Sequence, residues 1–106
     1  MGSRAEQLLA LGQSVWLDFI RRRDLHDGGF MNLVHDAGVV GVTSNPTIFQ
    51  QAISGSADYD ASLHRHAAAG LAGPELFEAL AIEDIQQACD QLASVAEMSG
   101  GLDGRV

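Results

Sequence analysis

Two short apolar runs interrupt a pattern that is otherwise helical. The first, residues 14–18, reads Ser14-Val15-Trp16-Leu17-Asp18 and ends on a carboxylate. The second is Val39-Val40 with Val42, a β-branched run suited to a fully buried strand. It stops at Thr43-Ser44-Asn45-Pro46, where Asn45 is a good N-cap and Pro46 falls on the first helical position. Residues 47–53 then supply a helix with Ile48, Phe49, Ala52 and Ile53 on one face. If both strands are parallel neighbours, Asp18 and Asn45 sit side by side at the carboxyl end of a sheet, where α/β folds place their sites.

The rest of the chain reads as helices and their stops. Residues 4–11 predict a short helix, with Ser3 as N-cap and Gly12 as the stop. Residues 19–25 predict a helical turn bearing Arg21, Arg22 and Arg23. Asp27 is placed to cap a helix over 29–37, with Phe30, Leu33 and Val34 inward and Gly38 ending it. Ser56 is placed to cap residues 57–69, which puts Asp58 and Asp60 in a first turn, where the helix dipole favours acids. Pro74 opens a long helical stretch to about residue 98, with Leu76, Phe77, Leu80, Ile82, Ile85, Cys89, Leu92 and Val95 at helical spacing. Glu83-Asp84 suggests a new first turn after a bend near Ala81-Ile82. After a glycine-rich loop, Arg105-Val106 reads as the start of a third strand. The expectation is therefore helix-rich α/β, with two parallel strands and the start of a third. A parallel sheet needs both faces covered and its edges paired, so this pattern reads as the opening portion of a larger fold.

Composition narrows the function classes. The 106 residues suit one small domain, and 46% hydrophobic content suffices for a core. A net charge of −8 argues against nucleic acid and anionic membrane surfaces as partners. Cys89, the single cysteine, cannot form an internal disulfide, which points to a reducing, cytoplasmic setting. No run approaches a membrane span or a signal peptide. Met1-Gly2-Ser3 reads as a cloning remnant. All six basic residues are arginines, so no lysine is available for a Schiff base.

Four motifs in order carry a family resemblance: Ser14-Val15-Trp16-Leu17-Asp18; Gly41-Val42-Thr43-Ser44-Asn45-Pro46-Thr47-Ile48-Phe49; Gly55-Ser56-Ala57-Asp58-Tyr59-Asp60; and Glu78-Ala79-Leu80-Ala81-Ile82-Glu83-Asp84-Ile85. Together they resemble the N-terminal part of transaldolases, in the bacterial subfamily with Thr-Ser-Asn-Pro-Thr at the second strand. The resemblance covers residues 8–106 and implies an incomplete (β/α)8 TIM barrel. It implies a pentose phosphate pathway enzyme that moves a dihydroxyacetone unit from sedoheptulose 7-phosphate to glyceraldehyde 3-phosphate. The family uses a Schiff-base lysine on a later strand, with no metal and no organic cofactor. Asp18 matches the aspartate that handles the substrate hydroxyl proton as the carbon–carbon bond breaks. Asn45 matches the asparagine that hydrogen-bonds the dihydroxyacetone portion, and Thr43 lies beside it in the pocket wall. The family's glutamate, lysine and phosphate-holding arginines match nothing in these residues. Compact fructose 6-phosphate aldolases share the barrel and the Asn-Pro turn, but they lack the helix before the first strand and the helical stretch over residues 55–100.

The remaining reactive side chains have plainer readings. His26, His35, His64 and His66 lack the spacing of a metal set. Cys89 reads as core, Arg21-Arg22-Arg23 as a solvated helix face, and Trp16 as packing between sheet and helices. Two alternatives stand beside transaldolase: a truncated, non-catalytic relative serving as an interaction module, and the front of a transaldolase/sugar-phosphate isomerase fusion. The unpaired strands predict self-association, or pairing with the rest of a barrel.

Overall fold

A computed structural model describes residues 2–106; Met1 and its α-amino group lie outside the described residues. Helix α1 (Arg4–Ala10) precedes strand β1 (Trp16–Leu17), which leads into α2 (Arg22–Asp27) and α3 (Gly29–Ala37). Strand β2 (Gly41–Val42) feeds α4 (Pro46–Ser54), followed by α5 (Asp60–Ala68), α6 (Pro74–Gln91) and α7 (Ala93–Met98). The two strands pair in parallel, Trp16 with Gly41 and Leu17 with Val42. Arg105 adds a parallel bridge to Gly41 on the other side of β2. The expected pair of parallel strands and the start of a third are thus present, in sequential order. The strands are shorter than the apolar runs, because only two residues of each meet the pairing geometry.

One face of the sheet is covered by helices. Val42 is fully buried, and Leu17 packs against the same cluster as Ile20, Leu25, Phe30, Val34, Ile48, Phe49, Ala88 and Leu92. The capping signals place α1 and α4 as expected. Ser3 and Glu6 form a reciprocal capping box, and the Ser3 hydroxyl also donates to the Ala37 carbonyl at 2.6 Å, tying α1 to the end of α3. Gly38 makes that approach possible. Its φ is +82°, and a Cβ there would lie 2.7 Å from Glu6 Cγ.

Several sequence readings are corrected. The Glu83-Asp84 pair starts no new helix, since α6 runs unbroken through it and the change of direction comes at Leu92. Helix α5 begins at Asp60 rather than Ala57; Ser56 instead shapes the turn ahead of it, accepting from the Asp58 amide at 3.4 Å. Cys89 is exposed, because the buried stripe of α6 runs through Leu80, Ala81, Asp84 and Ala88, one residue round from Cys89. Trp16 does not lie between sheet and helices; it is on the opposite face and 39% exposed. No helix among the described residues is long and apolar enough to cross a membrane, and none of their His, Cys, Asp and Glu side chains form a metal-holding group.

Candidate functional site

The carboxyl ends of β1 and β2 bring two of the sequence-nominated residues into contact. Extending the strand register by one residue sets Asp18 opposite Thr43, and the backbone continues the ladder: the Thr43 amide donates to the Leu17 carbonyl at 2.8 Å. The Thr43 hydroxyl donates to Asp18 Oδ1 at 2.7 Å. Asp18 is exposed and Thr43 half-buried, so the pair sits at a surface that solvent reaches. A carboxylate that accepts a hydrogen bond from a hydroxyl on one oxygen keeps its other oxygen for a ligand. Such a group can hold or shuttle a substrate hydroxyl proton.

Asn45 stands two residues further along, at the start of α4. Its Oδ1 accepts from the Ile48 amide at 2.9 Å, and Pro46 takes the first helical position. The cap fixes which half of the side chain is engaged. Oxygen faces the helix, and the amide NH2 has no partner among the described residues, leaving two N–H donors for a ligand oxygen. Asp18 and Thr43 are thus joined directly, while Asn45 is held by its own helix at the same end of the sheet.

Behind this end lies a polar cluster that the sequence reading missed. Arg22 is 5% exposed rather than part of a solvated face. Its Nε donates to Asp84 Oδ1 at 2.8 Å, Nη1 to the Ser62 hydroxyl at 2.7 Å, and Nη2 to the Leu80 carbonyl at 3.2 Å. The guanidinium also lies 4.4 Å from the centroid of the Tyr59 ring. The Tyr59 hydroxyl donates to Asp84 Oδ2, so both oxygens of this fully buried carboxylate are engaged. Burial, together with the bonded Asp84 carboxylate, pushes the Tyr59 pKa upward. At the rim, Glu83 gathers Arg22, Arg65 and His66. His66 Nε2 lies 3.3 Å from Glu83 Oε1, at ion-pair distance but without hydrogen-bond alignment. Burial alone would raise the Glu83 pKa; His66, Arg22 and Arg65 outweigh it and hold the carboxyl below its ordinary value. The signal for this cluster was in the sequence. Asp84 falls four residues after Leu80 and four before Ala88, on the apolar stripe of α6, and a carboxylate there requires a buried cation.

Comparison with known proteins gives a consistent result. Residues 15–106 match the family described as transaldolase/fructose-6-phosphate aldolase. The chain is 44% identical over 106 residues to a transaldolase of Frankia alni, covering all of this chain and 29% of that protein. It is 43% identical over 95 residues to transaldolase 2 of Nostoc punctiforme, covering 90% of this chain and 25% of the relative. A transaldolase of Mycobacterium ulcerans is 43% identical over 109 residues, again covering all of this chain and 29% of the relative. The chain thus spans under a third of the length of these curated relatives.

Proposed function

The chain belongs to the transaldolase/fructose-6-phosphate aldolase family, and from that premise we propose that it supplies the first strands and the proton-handling corner of a transaldolase barrel. The reaction is transfer of a dihydroxyacetone unit between sugar phosphates, from sedoheptulose 7-phosphate to glyceraldehyde 3-phosphate, through a Schiff base on a lysine. These residues contain no lysine, so that lysine belongs to the part of the barrel beyond the matched span. Asp18 is the acid/base that takes the substrate hydroxyl proton as the carbon–carbon bond breaks. Thr43 orients it, and the Asn45 amide donates to the dihydroxyacetone oxygens. The observation that carries the reading is the 2.7 Å hydrogen bond from Thr43 to Asp18 across paired parallel strands at their carboxyl ends.

The test uses the polypeptide that joins this chain to the lysine-bearing remainder. A general acid/base supplies about 10²–10⁴-fold in rate, so Asp18→Ala should depress kcat by that order. Borohydride should still trap the ketose on the distant lysine, because imine formation does not use Asp18. Unchanged turnover in Asp18→Ala removes Asp18 from the mechanism. The absence of lysine also supports a second reading, in which this stretch acts without catalysis as an assembly module; activity of the joined polypeptide decides against it.

A further inference from the structure

Asp18 follows β1 directly, and only Phe19, Ile20 and Arg21 separate it from Arg22, the first residue of α2. These residues alternate. Phe19 and Arg21 are exposed, while Ile20 is 3% exposed in the apolar core and Arg22 is 5% exposed. The backbone at Arg21 is extended, with φ −132° and ψ 131°. The chain leaving the strand is therefore pinned inward at two alternate positions, once by apolar packing and once by charge. From the side of β2, the Thr43 hydroxyl holds the carboxylate itself.

The hold on Arg22 is directional. Its three guanidinium nitrogens donate to Asp84, the Ser62 hydroxyl and the Leu80 carbonyl, and Nη2 also reaches Glu83 at 3.3 Å. Bonds on several edges fix a planar fork within its own plane. The Tyr59 ring, with its centroid 4.4 Å away, limits movement out of that plane. Asp84 is held in turn, because its second oxygen accepts from the Tyr59 hydroxyl. Arg22, Tyr59, Ser62, Leu80 and Asp84 are all buried, so the arrangement is complete within this chain. Apolar residues of similar volume often join helices as well as a buried ion pair does. What the guanidinium adds is geometry, a rigid fork that accepts one placement. That placement fixes the start of α2, four residues from Asp18.

We propose that Arg22 is the positioning residue of Asp18: clamped by Asp84 and Ser62, it fixes the course of the chain from β1 into α2 and so keeps the Asp18 carboxylate on Thr43 and toward the substrate. The proposal rests on the acid/base role of Asp18 in the transaldolase reading. Arg22 itself touches no substrate and moves no proton.

The experiment uses the polypeptide that joins this chain to the lysine-bearing remainder, assayed well below its melting temperature. Arg22→Lys keeps a charge beside Asp84 and removes the fork; Asp84→Asn keeps the shape and removes the anion. A misplacement of about 1 Å can cost about 10²-fold in rate. Each variant should therefore lower kcat on the order of tenfold or more, with KM changed much less. Borohydride trapping of fructose 6-phosphate should proceed at the unsubstituted rate, because imine formation does not use Asp18. A role confined to stability would leave kcat of the folded protein intact, or depress trapping and turnover together. A cycle with Asp18→Ala adds a second discrimination. Once the carboxylate is gone there is nothing to place, so Arg22→Lys should cause no further loss. Full kcat in folded Arg22→Lys and Asp84→Asn, trapping that falls in step with turnover, or an undiminished Arg22→Lys loss in the Asp18→Ala background overturns the proposal. If Arg22→Lys does not fold, Asp84→Asn carries the same test. No transfer by the unsubstituted polypeptide, or unchanged turnover in Asp18→Ala, defeats the reading underneath. Activity that needs Asp18 but ignores both Arg22 and Asp84 defeats this inference alone.

Discussion

The role proposed for Asn45 adds a second load to the cap on one side chain, and the two can be separated chemically. The Asn45 oxygen caps α4, and its NH2 is the half assigned to substrate. Aspartate caps as well as asparagine but offers no N–H. Asn45→Asp should therefore hold the melting temperature nearly constant and lower kcat/KM in the joined polypeptide. Asn45→Ala should cost both, with about 1 kcal/mol of stability from the lost cap. Thermal melts beside steady-state kinetics check the pair; equal activity in Asn45→Asp would leave Asn45 as a cap alone. Legibility at this scale follows locality. The cap was readable because N-cap, proline and helix stand next to one another in sequence. The Asp18–Thr43 contact was half readable: parallel strands were expected to set Asp18 beside Asn45, and the register set it against Thr43 instead. Trp16 was misplaced because alternation says only that it opposes Leu17, and not which face the helices cover. Cys89 failed for a similar reason. One residue along a helix turns the side chain by about 100°, enough to leave a buried stripe.

Among the elements, α2, α5 and α6 are held by charge as well as by apolar packing. Arg22 comes from α2, Ser62 from α5, and Leu80 and Asp84 from α6, while Tyr59 precedes α5. A sequence reading that sees three consecutive arginines cannot tell which one turns inward; that depends on where α6 lies. Removing one partner of a buried ion pair typically costs about 3–5 kcal/mol, because the other charge stays buried and unpaired. Arg22→Met should destabilise by that order in urea denaturation. Arg22→Met with Asp84→Leu should recover much of the loss, and equal stability of the single variant and the parent would refute a structural role for the pair. The same cluster contributes to the pH dependence of stability. The folded Glu83 pKa lies below its ordinary 4.5, so its contribution is complete above pH 4.5 and is lost as pH falls through the folded value. The folded Tyr59 pKa lies above its ordinary 10.0. Its contribution is complete below pH 10 and falls away as pH rises further. The contributions of these two groups should be level between these limits and fall outside them. Glu83→Gln should flatten the acid limb, and Tyr59→Phe the alkaline limb.

Over the whole molecule, shape and composition point the same way. The radius of gyration is 15.1 Å and the long axis 49 Å, against roughly 13 Å for a compact domain of this length. Leu11, Phe19, Ile82, Met98 and Leu102 are exposed, and β1 has no partner beyond β2 among the described residues. Open strand edges and apolar faces recruit further chain. A polypeptide of these 106 residues should therefore associate with itself or with the rest of a barrel; a monomer in sedimentation with a sharp melt would contradict that. Its chemistry should be null by itself. Imine formation with a ketose needs a neutral amine held in a pocket, and the sequence offers only arginines and the α-amino group of Met1, which no motif directs toward Asp18. Arginine stays protonated throughout the working range and does not add to a carbonyl. Incubation with fructose 6-phosphate and borohydride, read by intact-mass spectrometry, should give no stoichiometric dihydroxyacetone adduct. Joining the same residues to a lysine-bearing remainder should produce one. An adduct on the 106 residues alone would mean that a nucleophile other than lysine operates at this site, and the roles assigned to Asp18 and Asn45 would have to be rebuilt around it.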